Sequence, residues 1–359
     1  MVINETSADM LDLLTSPAFY VKDGIVIRTN QAAKSIPVAN GTPISQLISV
    51  GTEDYGEFAG GCLYLTLKLD GEIGASVTKM DGMDVFVVEK DEGFTELQAM
   101  ALAAKEIRHP LSSVMALTDH VFPLIHQSGM PEADDQIARF NKCLYQMLRI
   151  VSNMSDAYRY CTGANSRQES RDICQLMQEI FDAVTPLVQE TGIRLEFSNL
   201  KESIYCLIDP ESLERAVSNI LSNAIKFTPS GGVVRAQLVR RGQRLYLTVI
   251  DSGNGIPEDL RSSVFTRYQR QPGLEDGRFG IGLGMVMIRS VAAQHGGTVL
   301  LEQDDAGVRI TMTLTIRRDT GTLVRTPVMR VDYAGERDHR LIELSDALPA
   351  HLYESRKVN

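Results

Sequence analysis

A run of amides and one lysine between residues 219 and 227 has the residue types that bind a metal-bound phosphate. Asn219, Asn223 and Lys226 are spaced four and three residues apart, so they share one face of a predicted helix that ends near Phe227. A carboxamide oxygen is a hard ligand that suits Mg²⁺ already held by phosphate oxygens. A lysine one turn further on can pair with a phosphate as a point charge. Taken alone, this pattern is also typical of a solvated helix face.

A second run, DSGNG at residues 251–255, follows the apolar strand-like stretch Leu245–Ile250. The Asp251 carboxylate, at the end of a predicted strand, can accept a hydrogen bond from the exocyclic amine of adenine. Gly253 and Gly255 would let the backbone approach the ring. Such a run by itself is often only a turn.

A third run, GIGLG, opens an apolar helix and comprises Gly280, Ile281, Gly282, Leu283 and Gly284. Closely spaced amides at a helix N-terminus form an anion site, which predicts phosphate binding. The run lacks the terminal Gly-Lys-Ser/Thr of a Walker loop, and its surroundings do not fit a dinucleotide-binding βαβ unit.

Residues 264–270, between the two glycine runs, read VFTRYQR and precede a stretch rich in glycine and charge. The glycine- and charge-rich stretch, which runs to Phe279, is predicted to be a lid over the site. Arg270 is placed to reach the terminal phosphate.

The elements that must position these residues fall into regions with different patterns. Residues 1–92 have short strand-like runs punctuated by Asp-Gly pairs, which predicts a small α+β domain with hairpin turns. The runs are Ala18–Val21, Ile25–Ile27, Leu63–Leu69 and Val85–Val88, and the predicted turns are Asp23-Gly24, Asp70-Gly71 and Asp81-Gly82.

Residues 168–318 alternate helix and strand, which predicts an α/β sandwich with a mixed or largely antiparallel sheet. The helical patterns are Ile173–Thr191, Pro210–Lys226 and Gly284–His295. The strand-like runs are Arg194–Ser198, Val233–Val239, Leu245–Ile250, Thr298–Glu302 and Val308–Ile316. Residues 319–359 are predicted only as a tail, either docked or mobile.

Residues 93–165 are predicted to form a helical hairpin with a break at Gln127–Pro131. Apolar side chains alternate three and four apart in both halves, the seam of a coiled coil or four-helix bundle. One hairpin cannot bury a full seam, so a homodimer is expected. The alternative is that both helices pack on a neighbouring domain. The seam residues are Ala104, Ile107, Leu111, Val114, Thr118, Val121 and Ile125, then Ile137, Phe140, Leu144, Met147, Val151, Met154, Tyr158 and Cys161.

The bulk composition excludes several classes of protein. The formal net charge of −10 argues against a general nucleic-acid binder. Five widely spaced cysteines, with no CxxC pair, argue against zinc and disulfide frameworks. The sequence shows no signal peptide and no apolar run of the ~20 residues that cross a bilayer. A cytoplasmic protein without a transmembrane segment is therefore expected.

Together, the four runs resemble the asparagine, first glycine, phenylalanine and second glycine boxes of the histidine-kinase catalytic domain. The resemblance implies an ATP-binding domain of the type shared with topoisomerases, Hsp90 and mismatch-repair ATPases. It also implies that Asn223 coordinates Mg²⁺, that Asp251 reads adenine and that residues 280–284 cradle the phosphates.

The hairpin resembles the dimerisation and phosphotransfer domain of the same family. That domain carries a His-Glu-x-Arg-x-Pro-Leu signature, and residues 105–111 read KEIRHPL. Residues 17–33 of the N-terminal region resemble a PAS sensor domain. The predicted fold is thus a multidomain α+β protein: a PAS-like α/β domain, a two-helix hairpin forming a dimeric four-helix bundle, and an α/β sandwich that binds ATP.

Lys105 occupies the position at which the family carries its phospho-acceptor histidine. A solvated lysine is protonated at neutral pH, and removing that proton costs roughly 4–5 kcal/mol, so it is a poor acceptor. His109 lies one helical turn further on, with Glu106 three residues before it, where the two side chains could meet. The competing interpretation is that His109 only fills a variable position of the motif.

The family resemblance gives position 109 a second role, which is to orient water in the dephosphorylation of a response regulator. Histidine departs from the residues usual at that position.

Three hypotheses follow. The first is a sensor kinase that autophosphorylates at a displaced site, His109, and passes phosphate to a response-regulator aspartate. The second is a regulatory pseudokinase that binds ATP, dimerises and acts on a partner kinase. The third is another member of the ATPase superfamily, such as an anti-sigma serine kinase or a topoisomerase-like ATPase. The Glu-x-Arg-x-Pro-Leu hairpin argues against the third.

Overall fold

The structure is a computed structural model, and it describes residues 11–89, 92–127, 131–162, 167–253, 255–256, 282–304, 307–318 and 337–354. None of the described helices combines the length and apolar character needed to cross a membrane. The predicted domain boundaries at residues 92, 165 and 318 stay a prediction about how the chain is divided.

The N-terminal region forms an antiparallel sheet with one short helix. Its elements are β1 (Ala18–Lys22), β2 (Ile25–Thr29), β3 (Ile48–Val50), α1 (Thr52–Glu57), β4 (Cys62–Lys68), β5 (Glu72–Met80) and β6 (Met83–Val88). At the predicted turns Asp23-Gly24 and Asp81-Gly82 all four residues have positive φ, as a type I′ hairpin turn requires. These two turns are confirmed.

Strands β3 and β5 have no counterpart among the predicted strands. β5 begins Glu-Ile-Gly-Ala-Ser, a sequence without the β-branched and aromatic enrichment that indicates a strand. Its Gly74 lies against the Tyr64 ring, and a Cβ there would overlap the tyrosine hydroxyl. β5 pairs antiparallel with the strands that precede and follow it in the chain, β4 and β6, so its neighbours rather than its own composition specify it as a strand.

The central region is a helical hairpin of α2 (Glu92–Gln127) and α3 (Pro131–Thr162), whose ends coincide with the predicted break. α2 runs through Pro110 without ending. The seam divides into two rows spaced by seven residues. In α2, Ala104, Leu111 and Thr118 are buried, whereas Ile107, Val114 and Val121 are exposed. One hairpin thus covers half of its predicted seam and leaves the other half in solvent.

The C-terminal α/β region has three main helices, α4 (Ile173–Gln189), α5 (Pro210–Phe227) and α6 (Leu283–Gln294). They pack on strands of one mixed sheet, α4 on β8, α5 on β11 and α6 on β13. The described strands are β7 (Glu169–Asp172), β8 (Arg194–Ser198), β9 (Tyr205–Ile208), β10 (Val233–Arg241), β11 (Arg244–Asp251), β12 (Val299–Asp304) and β13 (Gly307–Thr315). Their order is β12-β13-β11-β10-β8, antiparallel except for parallel β8 and β10. This confirms the predicted sandwich with a mixed sheet, whereas the small β7-β9 sheet was not predicted.

The N-terminal and C-terminal sheets join edge to edge, because β12 pairs antiparallel with the Cys62–Tyr64 end of β4. Two charged groups reinforce this junction. Asp54 of α1 accepts a hydrogen bond from Arg244 of β11 at 2.7 Å. Arg289 of α6, which is buried, forms an ion pair with Glu89 and lies over the Tyr64 ring, 4.9 Å from its centroid. A buried arginine is stable only with such partners, so the contact fixes α6 against the N-terminal sheet.

Residues 337–354, here called the C-terminal segment, pack against the hairpin and α5. The segment contains α7 (His339–Glu343) and a 3₁₀ turn at Ala350–Tyr353. Its apolar side chains are buried, namely Leu341, Ile342, Leu344, Leu348, Leu352 and Tyr353. Of the two predicted alternatives for the tail, these residues adopt the docked one. Residues 319–336 and 355–359 lie outside the described part.

Candidate nucleotide-binding site

Helix α5 carries the predicted amide face and is held at its N-terminal end. The Asp209 side chain caps it by accepting from the Ser212 backbone N–H at 3.2 Å, and Pro210 occupies the first turn. The Asp209 backbone N–H donates to His295 Nε2 at 3.0 Å. Burial lowers the pKa of His295, so its imidazole stays neutral and able to accept this bond. Below this cap, Leu213, Val217 and Ile220 anchor the helix in the core.

The two asparagines of α5 have different environments. Asn219 is buried, and its Nδ2 donates to the Arg215 carbonyl at 2.9 Å while its Oδ1 accepts from Arg149 Nη2 at 3.3 Å. Asn223 is half-buried, and its Nδ2 contacts Met285 Sδ at 4.0 Å. Within the described residues the Asn223 Oδ1 accepts no hydrogen bond. Asn219 is therefore a structural support, and Asn223 offers a free acceptor.

The start of α6 lies directly against this face. Gly282 has φ +80° and precedes Leu283, the buried first residue of the helix. A Cβ at Gly284 would lie 3.0 Å from Asn219 Oδ1, so glycine allows the two helices to approach closely. The first-turn N–H groups of a helix have no partners within the helix and can bind anions. The structure thus brings Gly282, Leu283 and Gly284 together with Asn219 and Asn223.

The predicted adenine-binding residues, at positions 251–255, lie at the end of β11. Asp251 is buried, and its Oδ1 accepts from the Gly253 backbone N–H at 2.9 Å. Burial raises the pKa of Asp251, against the opposing effect of its backbone hydrogen bonds. A Cβ at Gly253 would lie 2.7 Å from the Phe227 carbonyl oxygen, and Gly255 has φ +79°. Asp251 and Gly253 therefore lie beside the C-terminal end of α5, whereas a Cβ at Gly255 would meet the Gln303 side chain of β12.

Lys226 is half-buried, and its surroundings include two residues that sequence reasoning missed. Its Nζ is 5.8 Å from the centroid of the Phe227 ring and 3.9 Å from Asp346 Oδ2 in the C-terminal segment. Asp346 in turn pairs with Arg149 of α3 at 2.6 Å. Neither Arg149 nor Asp346 belongs to a recognisable motif, so no local signal could have placed them here. Arg270 and Gly280, both predicted site residues, lie outside the described part of the chain.

A divalent cation at this site would find few protein ligands among the described residues. In the part of the chain that the structure describes, no cluster of three His, Cys, Asp or Glu side chains could hold a metal ion. A cation beside Asn223 would therefore take most of its ligands from nucleotide phosphates and water, which suits Mg²⁺. The Asn223 Oδ1, which accepts from none of the described residues, fits that role.

Residues 208–318 match the family described as histidine kinase-, DNA gyrase B- and HSP90-like ATPase. The chain is also 28% identical over 221 residues to the sensor histidine kinase CusS of Escherichia coli, covering 59% of this chain and 44% of CusS. It is 28% identical over 212 residues to the sensor histidine kinase TmoS of Ectopseudomonas mendocina, covering 58% of this chain and 21% of TmoS. Residues 208–318 therefore form a domain of this ATPase family, and the chain is similar to sensor histidine kinases.

The chain spans less than half the length of these two kinases. Among solved structures it is similar to the mycobacterial sensor histidine kinase MprB, with 28% identity and a TM-score of 0.36, covering 42% of this chain and 99% of that one. The described site residues on α5, at the end of β11 and at the start of α6 all fall inside the matched ATPase region, 208–318. The hairpin lies outside it.

The motif at residues 105–111 lies on the exposed side of α2. Lys105, Glu106 and His109 are all exposed. Among the described residues, no hydrogen bond or ion pair joins their side chains to each other or to the ATPase region, so the expected Glu106–His109 contact is not formed. Arg108 of the same motif donates to Ser155 of α3 at 3.2 Å. This contact places the motif level with Asp156, which pairs with Arg215 of α5 at 2.8 Å.

Proposed function

We propose that this chain binds Mg-ATP between α5, the end of β11 and the start of α6. One observation carries the proposal: α5 presents the Asn223 amide oxygen, which accepts no hydrogen bond from any described residue, beside the first turn of α6. This oxygen can therefore accept a ligand without breaking a described contact. The proposed roles are Asn223 toward Mg²⁺, Asp251 toward the adenine amine, and the amides of residues 280–284 with Lys226 toward the phosphates.

The remaining residues of the site act as supports in this proposal. Asn219 fixes the distance between α5 and α6, and Gly253 and Gly255 let the backbone approach the base. Mg²⁺, when bound, would neutralise charge on the phosphate oxygens. Phe227 closes the end of α5 beside the base, and Arg270 would approach the terminal phosphate.

We further infer phosphotransfer to a displaced acceptor, His109. A neutral imidazole nitrogen would form a bond with the γ-phosphorus as the bond to the β–γ bridging oxygen breaks and ADP leaves. Glu106 would accept the imidazole proton. The phosphoryl group would then pass to an aspartate of a response regulator. Since no described hydrogen bond or ion pair joins His109 to the ATPase region, we infer that this step requires the ATPase region to move relative to α2.

A second candidate function is favoured by Lys105. A protonated lysine at the acceptor position cannot attack phosphorus, and this hypothesis makes the chain a pseudokinase. It would bind ATP, dimerise and regulate a partner kinase by conformation.

Incubation of the full chain with γ-labelled ATP separates the two candidates. For the kinase, we expect an acid-labile, base-stable label in wild type that falls at least ~100-fold in His109→Ala, because the proposed nucleophile is lost. His120→Ala is the matched control, since His120 is another exposed histidine of α2. It should keep the label.

Other outcomes of this experiment discriminate equally well. A label that survives His109→Ala contradicts the displaced site. An unlabelled wild type combined with a labelled Lys105→His variant supports the pseudokinase. Robust transfer from wild type to a response regulator eliminates the pseudokinase.

We also propose that the kinase is a homodimer formed through the hairpin. The exposed half of the seam is apolar along both helices, and such a patch is typical of an interaction surface. Its members recur at spacings of seven, which lets two hairpins form a four-helix bundle. The exposed seam residues are Ile107, Val114, Val121, Phe140 and Met147, and the further exposed apolar residues of the same two helices are Leu102, Leu117, Leu124 and Ile150.

The double variant Leu117→Glu, Leu124→Glu is expected to raise the dimer dissociation constant at least ~100-fold, because it places charges in an apolar interface core. Light scattering across a concentration series measures this. Leu13→Glu is the control, since Leu13 is 78% exposed and lies away from the hairpin. A double variant that stays dimeric at wild-type concentrations would rule out this surface.

We infer that the N-terminal sheet is the PAS-like sensor domain. Its edge pairing with β12 provides a direct route from a signal to the ATPase region. The expected location is the cytoplasm, with a response regulator or a partner kinase as the protein partner.

A further inference from the structure

The C-terminal segment is tied at several points to elements that the proposed phosphotransfer must move. Its Tyr353 is fully buried, with the ring edge-on to Tyr145 of α3 at a centroid distance of 5.2 Å. The Tyr353 carbonyl accepts from Asn141 Nδ2 at 2.9 Å. Arg337 forms an ion pair with Asp119 of α2. The segment is thereby anchored on both helices of the hairpin.

The same segment also holds α5. Glu343, which is buried, pairs with Arg215 of α5 at 3.1 Å, and Arg215 pairs with Asp156 of α3. Two carboxylates, one from the hairpin and one from the segment, thus share one cation of the ATPase region. Moving α5 away from the hairpin would leave these charges unpaired, which is costly inside a protein.

Asp346 links these ion pairs to the candidate nucleotide site. Its carboxylate pairs with Arg149 at 2.6 Å, accepts from Gln146 Nε2 at 3.3 Å and lies 3.9 Å from Lys226 Nζ. Arg149 reaches on to Asn219 Oδ1 at 3.3 Å. Asp346 and Lys226 both line a cleft of about 330 Å³ between the hairpin and the ATPase region. A fixed negative charge is therefore placed at the lysine proposed to pair with a phosphate.

We propose that the C-terminal segment is an autoinhibitory clamp in which Asp346 competes with nucleotide phosphates for Lys226. This inference rests on the proposed binding of ATP at this site. A carboxylate and a phosphate repel each other at short range, so bound nucleotide and the docked Asp346 disfavour each other. By linkage, nucleotide weakens the clamp as much as the clamp weakens nucleotide binding. Releasing the segment frees α5 and the hairpin to move.

Calorimetric titration of the full chain with Mg-ATP and, separately, with adenosine tests the clamp. Asp346→Asn keeps the size of the side chain and removes its charge. It should bind Mg-ATP about fivefold more tightly, because no carboxylate then competes with the phosphates for Lys226. Its affinity for adenosine, which has no phosphate, should equal that of wild type. Asp346→Glu, which restores the charge, should bind Mg-ATP as wild type does.

Glu190→Gln is the matched control, since Glu190 pairs with His351 of the same segment at 3.1 Å but on the exposed side. It should leave both affinities unchanged. Equal Mg-ATP affinity in wild type and Asp346→Asn would overturn the clamp and leave the proposed function standing. Equal changes for Mg-ATP and adenosine would overturn it too, because they indicate a general structural effect. Binding of neither ligand to any variant would overturn both the proposed function and the clamp.

Discussion

Asn223→Ala is expected to weaken Mg-ATP binding on the order of 100-fold. Loss of a residue that only supports a metal ligand already lowers metal affinity ~10–100-fold. The reason is that the Asn223 amide oxygen is the proposed protein ligand to Mg²⁺. The side chain contributes little to folding, because its one described polar contact is the 4.0 Å approach to Met285 Sδ. The variant should therefore keep its unfolding midpoint while losing affinity, as measured by calorimetric titration.

Two comparisons make this result specific. Gln178→Ala removes another amide from the same region, on the exposed side of α4, where it pairs with Asp182 at 2.8 Å. Its affinity for Mg-ATP should be that of wild type. Asn219→Ala should lose both affinity and stability, the latter by ~1–3 kcal/mol, because it leaves a buried donor and acceptor unpaired. An Asn223→Ala variant with wild-type affinity would contradict the assignment of this residue.

Arg215→Leu is expected to lower the free energy of unfolding by ~3–5 kcal/mol, the cost of breaking a buried ion pair by removing one partner. Although burial disfavours its charge, the Glu343 and Asp156 carboxylates raise the pKa of Arg215. Its side chain is 12% exposed, and those of Asp156 and Glu343 are 9% and 6% exposed. Leucine would leave both carboxylates buried without their shared cation. The shift is measured by urea unfolding followed by circular dichroism.

Arg171→Leu provides the control for an exposed pair. Arg171 is 35% exposed and bonds to Glu179 at 2.9 Å, so its loss should cost under ~1 kcal/mol. Adding Glu343→Gln to Arg215→Leu should recover part of the loss, because it removes one of the stranded charges. An Arg215→Leu variant within ~1 kcal/mol of wild type would show that this cluster does not hold the hairpin, α5 and the C-terminal segment together.

Local patterns in the sequence predicted the elements of the site correctly. Helix α5 was expected at Pro210–Lys226 and is observed at Pro210–Phe227, and the strand expected at Leu245–Ile250 is observed as β11, Arg244–Asp251. These elements have strong periodicity and clear ends, such as the Asp209 cap and Pro210. Local patterns do not say that α5 and α6 lie side by side. That Asn223 meets the first turn of α6 was expected from the family resemblance.

Contacts between regions could not be predicted in the same way. The strands that became β4 and β12 were both expected, but nothing in either sequence specifies that they pair with each other. Edge strands expose backbone groups of similar geometry, so their partner is decided by how whole domains dock. The Asp346–Arg149 pair has the same origin, because its residues are 197 positions apart and each reads as an ordinary surface charge.

The hairpin illustrates a third case. Its 3-4 spacing predicted the helices and their apolar seam, yet the spacing cannot say which half of the seam faces the partner helix. The structure assigns Ala104, Leu111 and Thr118 to the intramolecular half. The motif at residues 105–111 likewise predicted a helix surface, but whether His109 approaches ATP depends on a domain movement that no local pattern encodes.

The most direct test of the central proposal is a calorimetric titration of the wild-type chain with ATP in the presence and absence of Mg²⁺. We expect saturable binding of one nucleotide per chain that weakens when Mg²⁺ is removed, and loss of this Mg²⁺ dependence in Asn223→Ala. Absence of saturable binding, or a Mg²⁺ dependence that Asn223→Ala leaves intact, would contradict a nucleotide site built on the amide face of α5.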